Sequence, residues 1–211
     1  MTGCVYAIGT VKNSVKFYNE HNVLRFEATM NDPSKFKVYR HTENQDRSEP
    51  KKYLPMRKGI ADINLRAEVS RNIVNRFTEH MAAVENKTSL ADLVAPISKP
   101  LKRNGKTIRA LDILGKDLEF LQAVSDPAFD VSGITNKDLQ KKLADTPWAK
   151  SMTGKQLSGR ISRHLALLRE HGLIKKLPNQ RKYALTEKGR KITSALNVAL
   201  AASVDALINA A

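Results

Sequence analysis

The segment from Thr153 to Lys191 carries most of the excess positive charge in this 211-residue chain. It holds eleven Lys or Arg residues against two Glu, a net charge of +9, and the whole chain has a formal net charge of +15. Ammonium and guanidinium groups bind phosphate, while Arg, Gln and Ser side chains also carry donors and acceptors that match base edges. The residues that we predict to contact a nucleic acid are Thr153, Lys155, Gln156, Ser158, Arg160, Arg163, Lys176, Arg181 and Lys182.

The first half of this segment is predicted to be an amphipathic helix. Thr153 is placed to start it, because its hydroxyl can accept a first-turn N–H while Gln156 reaches back to the cap. Apolar residues then recur at the spacing of one buried stripe, at Leu157, Ile161, Leu165 and Leu168. The polar residues of the helix are therefore predicted to point outward, and Gly172 is placed to end it in a left-handed conformation.

A basic hairpin and another helix follow. The turn at Pro178–Asn179 separates two extended segments, and the basic residues beside it are Lys175, Lys176, Arg181 and Lys182. Thr186 is predicted to cap the next helix. Upstream, short helices are predicted around Leu118–Val124 and from Thr135 to Ala144. The order is thus helix, short helix, longer basic helix, β-hairpin and helix.

Two stretches carry a family resemblance. Residues 165–174 have the sequence LALLREHGLI, and residues 183–190 have the sequence YALTEKGR. Together they resemble the winged helix-turn-helix of the MarR and ArsR type, in which the recognition helix ends in L-x-x-x-G-L-I and the returning wing strand contains Y-x-L-T-x-x-G. The resemblance covers about residues 116–195. It implies that the helix after Thr153 enters the major groove and that the wing contacts the backbone or the minor groove.

We therefore expect duplex DNA as the partner. A second basic surface is predicted where Asn104–Gly105 joins two short strands, on Lys102, Arg103 and Lys106, although an exposed turn without a ligand explains this hairpin equally well. Two basic hairpins also fit structured RNA, bound by an accessory subunit of a nucleoprotein complex. A further alternative is an assembly factor that binds no DNA and whose basic face is simply solvated.

The N-terminal region is predicted to contain a β-hairpin. Residues 14–18 and 24–30 alternate apolar and polar side chains on either side of a polar turn. The apolar face of this hairpin is predicted to consist of Val15, Phe17, Leu24, Phe26, Ala28 and Met30. Lys35–Arg40 is predicted to add a third strand, and the charged residues 41–58 are predicted to form a loop or linker.

The same region carries a second, weaker resemblance. The stretch SVKFYNEHNVLRFEATMNDPSKFKVYR, with PMRKGIADI downstream, resembles a recurrent region of long, uncharacterised bacterial proteins found near mobile elements. Its K-x-Y and L-R-x-E strands are also loosely similar to strands in plasmid and phage replication initiators. Because a large N-terminal portion precedes this region in the long proteins, the resemblance implies a C-terminal piece or a separately expressed product.

The predicted fold class is α+β, mainly helical, with three segments. Residues 1–58 hold the β-hairpin region and a basic linker, residues 59–115 a helical region with the small basic hairpin, and residues 116–211 the winged helix-turn-helix with a C-terminal helix. In the middle segment, Ile60–Val84 is predicted to be one long helix. Its apolar stripe is predicted to consist of Ile63, Val69, Ile73, Phe77, Met81 and Val84.

The last helix is predicted over Lys191–Ala211. After Ala195 its residues are almost wholly apolar or small. Such a surface predicts burial, either within the fold of the chain or against a partner protein or a second copy in a homodimer.

Catalysis is not expected, and neither a metal nor a cofactor is predicted. The histidines form no His-x-His or His-x-x-x-His pair, and no Gly-rich phosphate loop or Gly-x-Ser-x-Gly elbow is present. A nuclease or a replication-initiator fragment is the competing hypothesis, with candidate residues Tyr18, Glu20, His21 and Glu27. Cys4 is the single cysteine, and the sequence contains neither an apolar run of membrane-spanning length nor an evident signal peptide, so we expect a cytoplasmic protein with no membrane partner.

Overall fold

A computed structural model of the chain describes residues 4–10, 12–20, 23–42, 48–82, 88–103, 105–152 and 154–201. The fold class is α+β, as predicted, with helices and small antiparallel sheets. The strands are β1 (Cys4–Gly9), β2 (Asn13–Glu20), β3 (Val23–Met30), β4 (Lys37–Arg40), β5 (Lys52–Pro55), β6 (Leu101–Arg103), β7 (Lys106–Ile108), β8 (Ile174–Lys176) and β9 (Tyr183–Leu185). The α-helices are α1 (Ile63–Ala82), α2 (Leu90–Val94), α3 (Leu118–Val124), α4 (Ala128–Ser132), α5 (Asn136–Leu143), α6 (Gly154–Glu170) and α7 (Glu187–Ala201).

The chain divides into two compact units. The first unit contains Met1–Thr78, Pro127–Gly133 and Pro178–Arg181. The second unit contains Glu79–Asp126, Ile134–Leu177 and Lys182–Ala211. The basic segment predicted to bind nucleic acid therefore lies in the second unit, apart from the turn at 178–181. Within the described ranges, no helix combines the length and the apolar character needed to cross a membrane.

The first unit is built on an antiparallel sheet with the strand order β1-β2-β3. The predicted hairpin is confirmed, since Val15 lies opposite Ala28 and Phe17 lies opposite Phe26. Side chains from this sheet, α1 and α4 form the buried core, which consists of Ile8, Val15, Phe17, Ile73, Phe77 and Val131. One face of the sheet thus supplies the apolar layer that the alternating sequence predicted.

Two details of the predicted sheet are wrong. The third strand is β1 rather than Lys35–Arg40, because β4 pairs with β5 in a separate two-stranded sheet. Asn13 bonds both backbone groups of Asp32, and a 3-10 turn at Pro33–Lys35 then leads the chain out of the sheet. Leu24 is 61% exposed, because it lies beside the turn of the hairpin and opposite Asn19.

The predicted linker of residues 41–58 contains β5. Leu54 lies opposite the buried Val38, and Tyr53 lies opposite Tyr39. Charged and Pro-containing flanks obscured this strand in the sequence, because four residues are too few to show a clear alternation.

Helix α1 begins at Ile63 instead of Ile60. The preceding residues form a turn, in which the Arg57 N–H donates to the Asp62 carboxylate at 2.8 Å. The predicted stripe holds in the middle of the helix, where Ile73 and Phe77 are buried, but Ile63 is 56% exposed. The stripe is also exposed at Met81, and Val84 lies outside the described residues.

The second unit contains the helices and the hairpin predicted after residue 116. Two predicted caps are confirmed: Thr135 Oγ1 accepts the Asp138 N–H at 3.1 Å, and Thr186 Oγ1 accepts the Gly189 N–H at 3.0 Å. Ile134 forms an isolated bridge to Tyr183, which adds one residue to the edge of the β8-β9 hairpin. The buried apolar side chains of this unit include Leu121, Leu139, Leu143, Ile161, Leu165, Leu168, Ile192 and Leu196.

Helix α7 starts at Glu187, before the predicted Lys191, and is described as far as Ala201. Beyond Ala195 it is not buried within the fold throughout: Leu196 is buried, whereas Val198 and Leu200 are 51% and 45% exposed. The remaining residues of the predicted helix, 202–211, lie outside the described residues.

Candidate nucleic-acid interface

Helix α6 has an apolar face and a polar face, as predicted. The four stripe residues Leu157, Ile161, Leu165 and Leu168 are at most 3% exposed. On the other side, Lys155, Gln156 and Arg163 are exposed to solvent. Thr153, the predicted cap, lies outside the described residues. The helix therefore presents two cations and one amide from its first three turns.

Asn136, at the start of α5, joins α5 to α6. Its Nδ2 donates to the Ser158 carbonyl and to Ser162 Oγ, each at 2.9 Å. Its Oδ1 accepts from Ser158 Oγ at 3.1 Å and from Gln140 Nε2 at 2.7 Å. Because this amide uses both donors and its acceptor, it holds α6 at a defined position relative to α5. Ser158 is consequently half-buried and does not point fully outward.

Arg160 was predicted to point outward, but it lies over an aromatic ring. Its guanidinium carbon is 4.2 Å from the centroid of Trp148, and the residue is half-buried. Trp148 is 4% exposed, stacks on Phe120 at 4.9 Å and meets the edge of His164 at 4.8 Å. The backbone N–H of Trp148 donates to Glu119 Oε2 at 2.7 Å. Arg160 is thus part of the packing that connects α6 to the residues before it.

The buried carboxylate of Asp117 lies next to His164 of this aromatic cluster. Asp117 is 1% exposed and accepts two hydrogen bonds from Arg109, each at 2.7 Å. It also accepts the Asp112 N–H at 2.9 Å, and His164 Nε2 lies 3.4 Å from its Oδ1. Burial by itself raises the pKa of Asp117, but hydrogen bonds from Arg109 and His164 outweigh this effect and hold the pKa well below its usual range. This charged network contacts the middle of α6, because His164 belongs to that helix and its Nε2 lies beside Asp117.

The hairpin after α6 keeps its place through Thr186 and two glycines. Gly172 has φ 74°, the left-handed conformation predicted for the helix end. Thr186 Oγ1 donates to the Gly172 carbonyl at 2.6 Å. A Cβ at Gly189 would overlap the carbonyl of Leu173, so only glycine fits there. The T-x-x-G element is therefore a packing requirement between α7 and the turn after α6.

The β8-β9 hairpin exposes most of its predicted basic residues to solvent. Lys175 and Lys176 on β8 are exposed, and Lys182 is half-buried. Arg181 is exposed in the turn of the first unit, where Asn179 adopts a left-handed φ of 52°. Two consecutive lysines on one short strand point to opposite sides of the ribbon, so they do not form a single row.

Part of the positive charge is used inside the fold. Arg190 is 7% exposed and forms an ion pair with Glu79, a partner that lies far away in the sequence. Lys191 pairs with Glu187 at 2.7 Å, and Arg169 lies 3.5 Å from Glu170. Of these pairs only Arg190–Glu79 lowers the charge of the segment below +9, because that net charge already includes Glu170 and Glu187.

The second basic hairpin, β6-β7, is present as predicted. Lys102 and Lys106 are exposed, while Arg103 pairs with Glu170 at 3.1 Å. Gly105 has φ 72°, and Asn104 lies outside the described residues. The Arg103 contact attaches this hairpin to the C-terminal turn of α6, within the same unit.

The residues of the nuclease hypothesis lie on the β-sheet of the first unit. Tyr18 Oη lies 3.4 Å from Glu27 Oε2, but Glu27 also has Lys16 and Arg25 within 3.8 Å. The side chain of Glu20 and all of His21 fall outside the described residues. Across the residues whose placement is described, no three His, Cys, Asp or Glu side chains are grouped as metal ligands would be.

The sequence pattern missed the residues that position α6. Trp148 is the only tryptophan of the chain, and Asn136 directly follows a predicted cap, but neither signal identifies a distant partner. Arg109 and Asp117 gave no motif at all. Comparison with known proteins gives no further assignment, because no family model, no curated protein and no solved structure matches this chain.

Proposed function

We propose that this chain binds duplex DNA through a winged helix-turn-helix formed by residues 116–195. In this proposal α5 and α6 are the helix-turn-helix, α6 is the recognition helix, and β8-β9 is the wing. The order of the elements supports the proposal, as do the two sequence stretches that resemble the MarR and ArsR type.

One observation carries the proposal. The exposed side of α6 bears Lys155, Gln156 and Arg163, whereas its opposite side is buried throughout. An amide and a guanidinium are the groups that pair bidentately with adenine and guanine, and a lysine binds phosphate. Because packing holds the buried side of α6 and its exposed side is polar, the helix is suited to enter a groove without rearrangement.

The contact residues divide into two roles in this proposal. Lys155, Gln156 and Arg163 contact the nucleic acid directly, and Lys175, Lys176, Arg181 and Lys182 bind phosphates around the groove. Ser158 and Arg160 are positioning residues, because the hydrogen bond to Asn136 and the ring of Trp148 already engage their side chains.

The salt dependence of binding tests the proposal. Fluorescence anisotropy with a random duplex should show affinity that falls steeply with salt, with a logarithmic slope of about −0.9 for each phosphate neutralised. The double substitution Lys175→Ala, Lys176→Ala should reduce this slope by roughly 1 to 2 and weaken all duplexes alike. Lys99→Ala, which removes an exposed lysine outside residues 116–195, is the matched control and should change neither quantity.

Selection from a pool of random duplexes then measures specificity. An enriched sequence whose preference is lost in Gln156→Ala or Arg163→Ala supports the recognition helix. Binding that is equally tight at low and moderate salt contradicts the proposed surface. Much tighter binding to a structured RNA hairpin than to every duplex favours RNA as the partner, for which the exposed Lys102 and Lys106 on the second hairpin are the supporting observation.

A further inference from the structure

Two tyrosines form an exposed aromatic pair on the β4-β5 hairpin of the first unit. Tyr39 lies directly opposite Tyr53, and their ring centroids are 5.1 Å apart. Tyr39 is 51% exposed, and Tyr53 is half-buried. Cross-strand aromatic pairs stabilise hairpins, and about half of the Tyr39 surface nevertheless stays exposed to solvent. The exposed ring is a surface on which another flat ring can stack.

Buried side chains and hydrogen bonds hold the β4-β5 hairpin in place. Val38 and Met56 are buried, and the Met56 N–H donates to the Phe36 carbonyl at 2.8 Å. Arg40 donates to the Pro55 carbonyl at 2.9 Å and lies 3.5 Å from the buried carboxylate of Asp62. These contacts fix the strands that carry the two tyrosines, which lowers the entropic cost of ligand binding to them.

The surroundings of the pair are strongly basic. Residues 35–42 and 48–58 contain seven Lys or Arg and one Glu. Lys37 is exposed and, two residues before Tyr39 on the same strand, lies on the same face of the hairpin. Its Nζ donates to the Asn179 carbonyl at 3.5 Å, in the turn that also carries the exposed Arg181. Arg57 bonds the buried Asp62 at 2.6 Å and lowers its pKa, so this carboxylate offsets one of the seven cations and the surroundings of the pair stay strongly basic.

We propose that Tyr39 and Tyr53 bind a single-stranded nucleic acid, with an unpaired base stacked on Tyr39 and Lys37 bound to a neighbouring phosphate. Aromatic rings that accept a base, placed among cations that follow the backbone, are the two components of sequence-tolerant single-strand binding. Unpaired DNA and unpaired RNA share this chemistry. Tyr39, Tyr53 and Lys37 are not among the residues proposed to bind duplex DNA, so the two proposals can be tested independently.

The test compares single-strand affinities of matched variants. Fluorescence anisotropy is measured with labelled oligothymidylate and oligouridylate, each about 15 nucleotides long, on the full chain. Tyr39→Leu keeps an apolar side chain but removes the ring, and we expect it to weaken binding by about fivefold to a hundredfold. Tyr39→Phe keeps the ring and should retain the affinity. Equal affinities of wild type and Tyr39→Leu would overturn the proposal.

Tyr18→Leu is the matched control within the same unit. Tyr18 lies on the three-stranded sheet, where Arg25 covers its ring at 5.5 Å from the centroid, so its replacement should leave single-strand binding unchanged. An oligonucleotide of abasic sites keeps the phosphates and lacks the bases. The abasic strand should bind the wild type more weakly than oligothymidylate does. Its affinity for Tyr39→Leu should equal its affinity for the wild type. Equally tight binding of the abasic strand would reduce the site to a general anion surface and overturn the proposal.

Photo-crosslinking gives a second measurement on the unmodified protein. A strand that contains 5-iodouracil should crosslink to Tyr39 or Tyr53, as located by mass spectrometry of the digested adduct, whereas crosslinks confined to α6 or β8-β9 would contradict the site. Arg163→Ala separates the two proposals, because it should weaken duplex binding and leave single-strand binding intact. If Arg163→Ala abolishes both activities and Tyr39→Leu neither, the α6 surface binds both ligands and the second site is wrong.

Discussion

Replacing Arg160 tests whether this residue positions α6 or contacts a base. In Arg160→Ala the guanidinium leaves the ring of Trp148, from which it is 4.2 Å away. A cation–π contact contributes about 0.5–1 kcal/mol at exposed sites and about 2 kcal/mol when desolvated. Because Arg160 is half-buried and Trp148 is 4% exposed, we expect the free energy of unfolding of the second unit to fall by about 1 kcal/mol.

Trp148 provides the assay, since it is the only tryptophan in the chain and lies in the second unit. Urea unfolding followed by its fluorescence reports this unit separately, which matters because a chain of two units need not unfold in one transition. The native emission of Trp148 should also change in Arg160→Ala. Arg160→Lys keeps the charge but loses the planar stacking surface, so it should recover only part of the lost stability.

Arg163 is the matched control, one turn further along α6 and exposed. Arg163→Ala should leave the emission of Trp148 and the unfolding midpoint unchanged, but it should weaken binding to a preferred duplex by about 1–3 kcal/mol. Arg160→Ala should instead weaken a preferred and a scrambled duplex by the same factor. The positioning role is refuted if Arg160→Ala leaves emission and stability unchanged and removes the preference at one base pair.

Two further predictions concern other parts of the second unit. Asp117→Asn should lower the free energy of unfolding by about 2–3 kcal/mol, because the buried group then loses its charged hydrogen bonds. The folded-state pKa of Asp117 is depressed, so the wild type should be more stable than Asp117→Asn above about pH 4 and should lose this extra stability as the pH falls further. Urea unfolding at several pH values measures the difference in stability. A difference that is constant down to strong acid would contradict the prediction. Val198→Asp with Leu200→Asp should convert a dimer into a folded monomer by light scattering, because both residues are exposed within one chain; a wild-type monomer would remove this interface.

The sequence determined the features that depend on neighbours along the chain. The buried stripe of α6, the caps at Thr135 and Thr186, and the left-handed Gly172 all follow from spacing or from hydrogen bonds within one turn. The hairpin with Val15 opposite Ala28 was likewise predictable, because two alternating segments that are joined by a short turn specify their own register.

Only the tertiary structure decided which partners the polar side chains meet. A helical periodicity places Arg160 on the polar side of α6, but the position of Trp148 beside it depends on how α5, the following turn and α6 pack. The same holds for Asn136 with Ser158, for Arg190 with Glu79, and for the pairing of β4 with β5 instead of the larger sheet. These contacts join residues that are far apart in sequence, and their geometry is set by the packing of whole elements, about which local propensity carries no information.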